Sequence, residues 1–196
     1  MSAAAGYDRA AAAFAISLGA HHDATGGHVR RVRRLALTLG RAMRLLPVDL
    51  ANLADGALLH DVGKLCVPGE LLDKLGRPTA EEWERLRSHT WRGAEMVRDL
   101  YPTDVVRVVA EHHERWDGEG YPAGLRGDEI ALGARICAVV DTYDAITCDR
   151  VHEGRLRPGA PYAVAAYEIA QWSGRQFDPR VVTAFLKVPR EEWLQG

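Results

Sequence analysis

The stretch VVRVVAEHHERWDGEGYP, residues 105–122, reads first as a helix and then as a loop. Val105, Val108, Val109, His112 and His113 recur three and four residues apart, the spacing of one helical face. From Trp116 to Gly133 the chain is rich in Gly, Pro and Asp, which predicts a long ordered loop. Working outward, the helical period returns on both sides. Pro102 opens the helix just quoted. Thr79 with Glu82 forms a capping box ahead of a helix running towards Leu100. Pro47 takes the first position of a helix carrying Leu50, Leu53, Ala54, Ala57 and Leu58, which Gly63 is expected to stop. Val29, Val32, Leu35, Ala36 and Leu39 form an earlier one, after a loop at His21–Gly27 broken by Gly26-Gly27. Ala10–Leu18 predicts an N-terminal helix. Downstream come an almost wholly apolar helix from Ala134 to Ile146, a helix over Pro161–Trp172, and one over Pro179–Leu186 with Asp178 as N-cap. No strand pattern and no internal repeat stands out, so the expected fold is all-α in a single domain.

The bulk properties agree. A chain of 196 residues, 47% apolar and 27% charged, suits one soluble globular domain. A formal net charge of −2 favours neither a nucleic-acid coat nor an anionic-membrane binder. Cys66, Cys137 and Cys148 form no CxxC pair, and their odd number argues against a disulfide framework. They are expected to be reduced, in or near the core, in a cytoplasmic protein. Met1–Leu18 is Ala-rich but carries Asp8 and Arg9, unlike a signal peptide, and no run approaches the roughly 20 apolar residues of a membrane-spanning helix.

The chemistry lies in where the His and Asp residues fall on these stripes. His28 heads the stripe of Val32, Leu35 and Leu39. Asp61 shares a face with Leu50, Ala54 and Ala57, and His60 an adjacent one with Leu53 and Ala57. His89 lines up with Leu86, Gly93 and Met96, and Asp141 sits among Ala134, Cys137, Ala138 and Ala145. Five histidines and two aspartates thus point inward. A lone inward His is usually a hydrogen-bonded core residue, and His21, His22 and His152 read as solvated loop residues. Burying two ionised carboxylates is costly without compensation, however. Lys64 or an arginine could pair with one; a metal cluster would compensate both and use the imidazoles. Imidazole and carboxylate without thiolate suit iron, manganese, cobalt or zinc rather than a structural Cys-type zinc site. Two octahedral ions offer about 12 positions, and a seven-residue set filling about eight of them if Asp61 bridges would leave about four for hydroxide, water and substrate oxygens, as in a two-metal hydrolase.

These residues also resemble a known family. HDVGK at 60–64 and HHERWDGEGYP at 112–122 are similar to the motifs of the HD-GYP group of HD phosphohydrolases. The similarity extends through Thr25-Gly26-Gly27-His28, His89 with Gly93, Asp141-Thr142-Tyr143-Asp144-Ala145, and Gly174 to Pro179, from about Asp23 to Leu186 and in family order. The resemblance implies an HD-type helical bundle over residues 21–196, with residues 1–20 as a helical extension. It implies a phosphodiesterase that hydrolyses cyclic di-GMP to pGpG or onward to GMP. The metal ligands would be His28, His60, Asp61, His89, His112, His113 and Asp141, with Asp61 bridging two divalent ions. Iron or manganese is expected, and cobalt, nickel and zinc are compatible. Lys64 and Asp61 would be catalytic, Lys64 by stabilising charge on the phosphoryl oxygens. Arg150 would bind substrate phosphate, and Arg115, Asp117, Gly118 and Tyr121 would flank the substrate. The Asp117–Pro122 loop could contact GGDEF-domain proteins, and a homodimer is allowed; neither a membrane nor a nucleic-acid polymer is expected as a partner.

Two departures qualify the resemblance. Family members with three metals carry a Glu one helical turn before the first ligand His; here that position is Ala24, so two metals are expected. After Arg150 the chain reads Val151-His152-Glu153-Gly154-Arg155, with an acid near where the family has a base. That weakens the substrate assignment more than the metal set. It leaves two alternatives: another cyclic dinucleotide or nucleotide as substrate, or a signalling module that acts through its Gly-Tyr-Pro loop.

Overall fold

Val29, Val32, Leu35, Ala36 and Leu39 bury one face of α1 (Asp23–Ala42) almost completely, as their spacing predicts. The computed structural model describes Ser17, residues 23–152 and residues 155–194. Apart from Ser17, which is helical, the expected helix at Ala10–Leu18 lies outside them, as do His21 and His22. The expected loop at His21–Gly27 is corrected: α1 runs through Gly26 and Gly27. Each glycine costs about 1 kcal/mol in a helix, which the 20-residue length and the buried stripe offset.

Then follow α2 (Pro47–Leu59), a 3-10 turn (Val62–Cys66) and the short α3 (Gly69–Leu72). Pro47 stands in the first turn of α2 as expected. Gly63 does not stop α2, which ends at Leu59; it sits inside the 3-10 turn. The helix expected from Thr79 to Leu100 is two helices, α4 (Ala80–Arg87) and α5 (His89–Val97). Between them the Ser88 hydroxyl donates to the Arg85 carbonyl (2.6 Å), competing with the helical ladder. The Thr79–Glu82 capping box forms on α4.

Next are α6 (Thr103–Glu111), a loop broken only by a 3-10 turn (Gly127–Glu129), and α7 (Leu132–Thr147). Strands β1 (Arg150–His152) and β2 (Arg155–Arg157) then pair antiparallel, Val151 opposite Leu156. This corrects the expectation of no strand and of a loop at His152; three residues per strand are too few to display a period. The chain closes with α8 (Tyr162–Gln171), α9 (Pro179–Lys187) and α10 (Arg190–Leu194).

One core joins α1, α2 and α7 to α8, α9 and α10 around Leu35, Leu39, Ile136, Tyr143, Phe177, Phe185 and Trp193. A second gathers Leu59, Val62, Val97, Tyr101, Val105 and Val109. The last turn of α2 joins them, Ala57 in the first and Leu59 in the second, directly before His60-Asp61. Cys137 is buried and Cys148 half-buried, but Cys66 is exposed, contrary to expectation; the three thiols are unpaired. Among the described residues no helix is long and apolar enough to cross a membrane.

Candidate metal centre

The seven expected ligands come together. The donor atoms of His28, His60 and Asp141 lie within 4.8 Å of one another, and so do those of His89, His112 and His113. His60, Asp61 and His112 form a third such group that joins the two. Asp61 stands between them: Oδ1 is 3.6 Å from His89 Nε2, while Oδ2 is 3.4 Å from His60 Nε2 and 3.9 Å from His28 Nε2. Asp141 Oδ1 lies 3.1 Å from His28 Nε2.

Local structure sets the tautomers. His60 Nδ1 lies 2.8 Å from the Ala57 carbonyl, His89 Nδ1 2.6 Å from that of Leu86, and His112 Nδ1 2.9 Å from that of Val109. A carbonyl only accepts, so each Nδ1 carries the proton and each Nε2 presents a lone pair to the cluster. His89 Nε2 and His112 Nε2 face each other at 3.3 Å. Burial, reinforced for His112 by His113 and His60, holds both imidazoles below their ordinary pKa, so both rings are neutral. Two buried lone pairs at that distance repel unless a cation lies beside them. The donor set therefore fits a metal ion.

The carboxylates carry charge. Burial works against ionising Asp61, but Lys64 and His60 overcome it and hold its pKa well below the ordinary carboxylate range. Lys64 Nζ donates to Asp61 Oδ2 at 2.7 Å. Asp141 is likewise kept ionised against burial by His28. His28, despite its burial, is pushed up to about 9 by Asp141 and Asp144. Burial pushes His113 down to about 4.

Some of the surrounding residues carry no assignment from the sequence. Asp144 is buried, lies 2.7 Å from His28 Nδ1, and accepts two bonds from Arg31 at 2.6 and 2.9 Å. Such carboxylates orient a ligand imidazole. The sequence does hold a signal for it: Asp144 follows Asp141 by one helical turn on α7. Glu114, next to the His pair, is buried and accepts N–H bonds from Ala123 (2.7 Å), Gly124 (3.1 Å) and Leu125 (3.1 Å), which fastens the Gly-Tyr-Pro loop. Glu111 is buried and holds Arg107 and the Ala131 N–H.

The expected substrate residues divide. Tyr121 stacks on His113, ring centroids 4.9 Å apart, and so borders the cluster. Arg115 and Asp117 bind each other at 3.0 and 2.5 Å, and Arg115 lies over Trp172. The described contacts tie this pair to the turn at Arg175-Gln176, not to the cluster, through Trp116 and Asp117 N–H bonds to Gln176 and Arg175 carbonyls. Gly118 supplies a positive φ of 83° next to them. Arg150 begins β1, its backbone paired with Arg157.

The model of the HD domain family matches residues 12–181. The chain belongs to the HD domain family. Its Gly120-Tyr121-Pro122 marks it as an HD-GYP member. A cyclic di-GMP phosphodiesterase of Pseudomonas aeruginosa is 41% identical over 162 residues, covering 82% of this chain and 38% of that protein. A 3'3'-cGAMP-specific phosphodiesterase of Vibrio cholerae is 34% identical over 167 residues, covering 83% and 31%. The chain thus spans less than half the length of these curated relatives. An HDG"Y"P protein from Bdellovibrio bacteriovorus has the same fold, with a TM-score of 0.63 at 24% identity, covering 80% of this chain and 49% of that one.

Proposed function

We propose that this HD domain is a metal-dependent phosphodiesterase that hydrolyses cyclic di-GMP to pGpG, GMP or both. The convergence of seven imidazole and carboxylate side chains, with Asp61 at their centre and Lys64 beside it, carries the reading. His28, His60 and Asp141 would hold one divalent ion, His89, His112 and His113 the other, and Asp61 would serve both. Ala24, one turn before His28, offers no donor for a third. Iron or manganese suits the set, and cobalt, nickel and zinc are compatible. Bound ions would supply Lewis acidity and a hydroxide nucleophile at neutral pH.

The chain's own residues do the rest. Lys64 is about a third exposed, so its ammonium can face a phosphoryl oxygen while it stays bonded to Asp61. Asp144 fixes the His28 ring, and the helix carbonyls fix three others. Tyr121 walls one side of the cluster. Arg150, Arg115, Asp117 and Gly118 complete the proposed substrate side. Glu119 is largely exposed on the Gly-Tyr-Pro loop, a surface on which GGDEF-domain proteins could dock. The unpaired thiols suit a reducing cytoplasm.

The test is product analysis. Protein loaded with Fe(II) or Mn(II) under reducing conditions should convert cyclic di-GMP to pGpG or GMP, and Asp61→Ala should not. Absence of turnover in the wild type overturns the reading. The 34% identity to a 3'3'-cGAMP-specific enzyme favours a second reading, in which that dinucleotide is the better substrate. Competing the two substrates in one reaction decides between them.

A further inference from the structure

Three side chains lead outward from the metal centre in an unbroken line. Tyr121 stacks on His113 at 4.9 Å. The Arg87 guanidinium carbon lies 5.0 Å from the centroid of the Tyr121 ring and 5.6 Å from that of Trp83. Arg87 and Trp83 are one turn apart on α4, so they share a face of that helix. Both are accessible: the Arg87 side chain is 44% exposed and Trp83 49%. Arg87 pairs with the Glu84 carboxylate at 3.9 Å, and that acid is itself 77% exposed, which makes the contact weak and solvated. The guanidinium is thus positioned by two rings through cation–π contact, and its N–H groups are not consumed by a buried acid. A half-exposed tryptophan beside it offers an unused aromatic face.

We propose that Arg87 and Trp83 form the nucleobase-binding arm of this site. Trp83 stacks a base of the substrate, and Arg87 bonds the edge of that base or the phosphate next to it, while the scissile phosphate sits at the metal centre. The inference rests on the phosphodiesterase reading and deepens it: it names the residues of α4 that hold a base of the substrate, which a small diester without a base would not engage. Stacking on an aromatic side chain tolerates any base, so the arm selects for a nucleotide and not for guanine in particular.

The test separates this arm from the reaction itself. KM and kcat are measured with cyclic di-GMP and with bis(4-nitrophenyl) phosphate, which has no base, on metal-loaded wild type, Arg87→Ala, Arg87→Lys and Trp83→Phe. Losing one base contact is expected to raise KM for cyclic di-GMP by about tenfold in Arg87→Ala. kcat should change less than threefold, with partial recovery in Arg87→Lys and little change with the small diester. A KM within twofold of wild type in Arg87→Ala, or an equal loss with both substrates, overturns the arm and leaves the reading intact. Titration of tryptophan fluorescence with pGpG needs no turnover: wild type should be quenched and Trp83→Phe should lose most of that response. Quenching without hydrolysis keeps the arm and sinks the phosphodiesterase reading. Neither quenching nor hydrolysis overturns both. Unchanged melting temperatures, expected at two exposed positions, show that the variants fold.

Discussion

Gly63→Ala should disable the metal centre without replacing any ligand residue. A Cβ on Gly63 would overlap the His89 carbonyl oxygen, and it would lie 2.6 Å from the Gly93 nitrogen and 2.8 Å from the His89 carbonyl carbon. Ordinary contact begins at 3.4 Å, so the 3-10 turn and α5 must separate by about 0.8 Å at the Gly93 nitrogen, and by more at the carbonyl. The atoms in the way are backbone and cannot rotate aside. Gly63 follows Asp61 by two residues and adjoins Lys64, while the opposing backbone belongs to His89. Metal–ligand distances tolerate about 0.2 Å. A shift of this size parts the His89 group from Asp61 and should lower affinity for Mn(II) at least tenfold, measured by chelator competition. Overpacking should also cost about 1–3 kcal/mol of stability in urea denaturation. Gly93→Ala is the control: its Cβ meets the Gly63 nitrogen and Val109 Cγ1 at 3.0 Å, which demands only a few tenths of an ångström. Wild-type metal affinity in Gly63→Ala, or a larger effect from Gly93→Ala, would refute the reasoning.

Asp144→Asn keeps the size but removes the charge that holds His28 and Arg31; metal affinity should fall about 10–100-fold by the same competition assay, and an unchanged affinity would show that the ring is positioned otherwise. Glu114→Ala orphans the N–H groups of Ala123, Gly124 and Leu125; the loop should become the first site of limited proteolysis, at a stability cost of about 2–3 kcal/mol after partial rehydration. Asp178 caps α9 through the Arg180 N–H (2.8 Å) and binds Arg135 (2.7 Å); despite burial these partners hold its pKa below the ordinary carboxylate value. Its contribution is therefore complete above about pH 4 and disappears as pH falls through its lowered folded-state pKa, so Asp178→Ala should cost about 1–2 kcal/mol at pH 7 and less in strong acid, read from urea midpoints at both pH values.

Helix order is legible because most helices carry their core as a stripe: Val105, Val108 and Val109 announce α6 in one dimension. The ligand set is legible for the same reason, since His28, His60, His89, His112 and Asp141 continue stripes that must face inward. What escapes depends on single contacts between distant segments. Nothing in the sequence near Gly63 reports that His89 will press against it, so a close-approach glycine looks like a helix stop. Asp144 has the right spacing from Asp141, yet its partners Arg31 and His28 lie more than 100 residues away. Arg115 and Asp117 are a different case. Their place in a conspicuous motif suggests substrate contact, and the bond between them is a further feature that no local pattern announces. The strands escape by their shortness, and the helical Gly26-Gly27 because tertiary burial outweighs a local propensity of about 1 kcal/mol per residue.

The three histidines whose tautomers are fixed share a position that explains how a helical bundle builds such a site. His60 follows the end of α2, His112 follows the end of α6, and His89 follows α4 across Ser88. The last four carbonyls of a helix have no partner within it. Ala57, Leu86 and Val109 each lie among the last four residues of their helix, and each accepts from the Nδ1 of the histidine three residues on. The same bond therefore does two things: it draws on a carbonyl at the helix end, that of Leu86 being shared with the Ser88 N–H, and it turns the Nε2 lone pair away from the helix towards Asp61. No separate set of buried acceptors is needed for these rings. His28 cannot use this device because it lies within the first turns of α1, where it is the N–H groups that are open; it takes Asp144 instead, a charged acceptor from another helix. The difference predicts an order of sensitivity. Replacing Asp144 should release the His28 ring, while substitutions in the side chains of Ala57, Leu86 or Val109 that preserve packing should leave His60, His89 and His112 in place, because there the backbone itself is the positioning group.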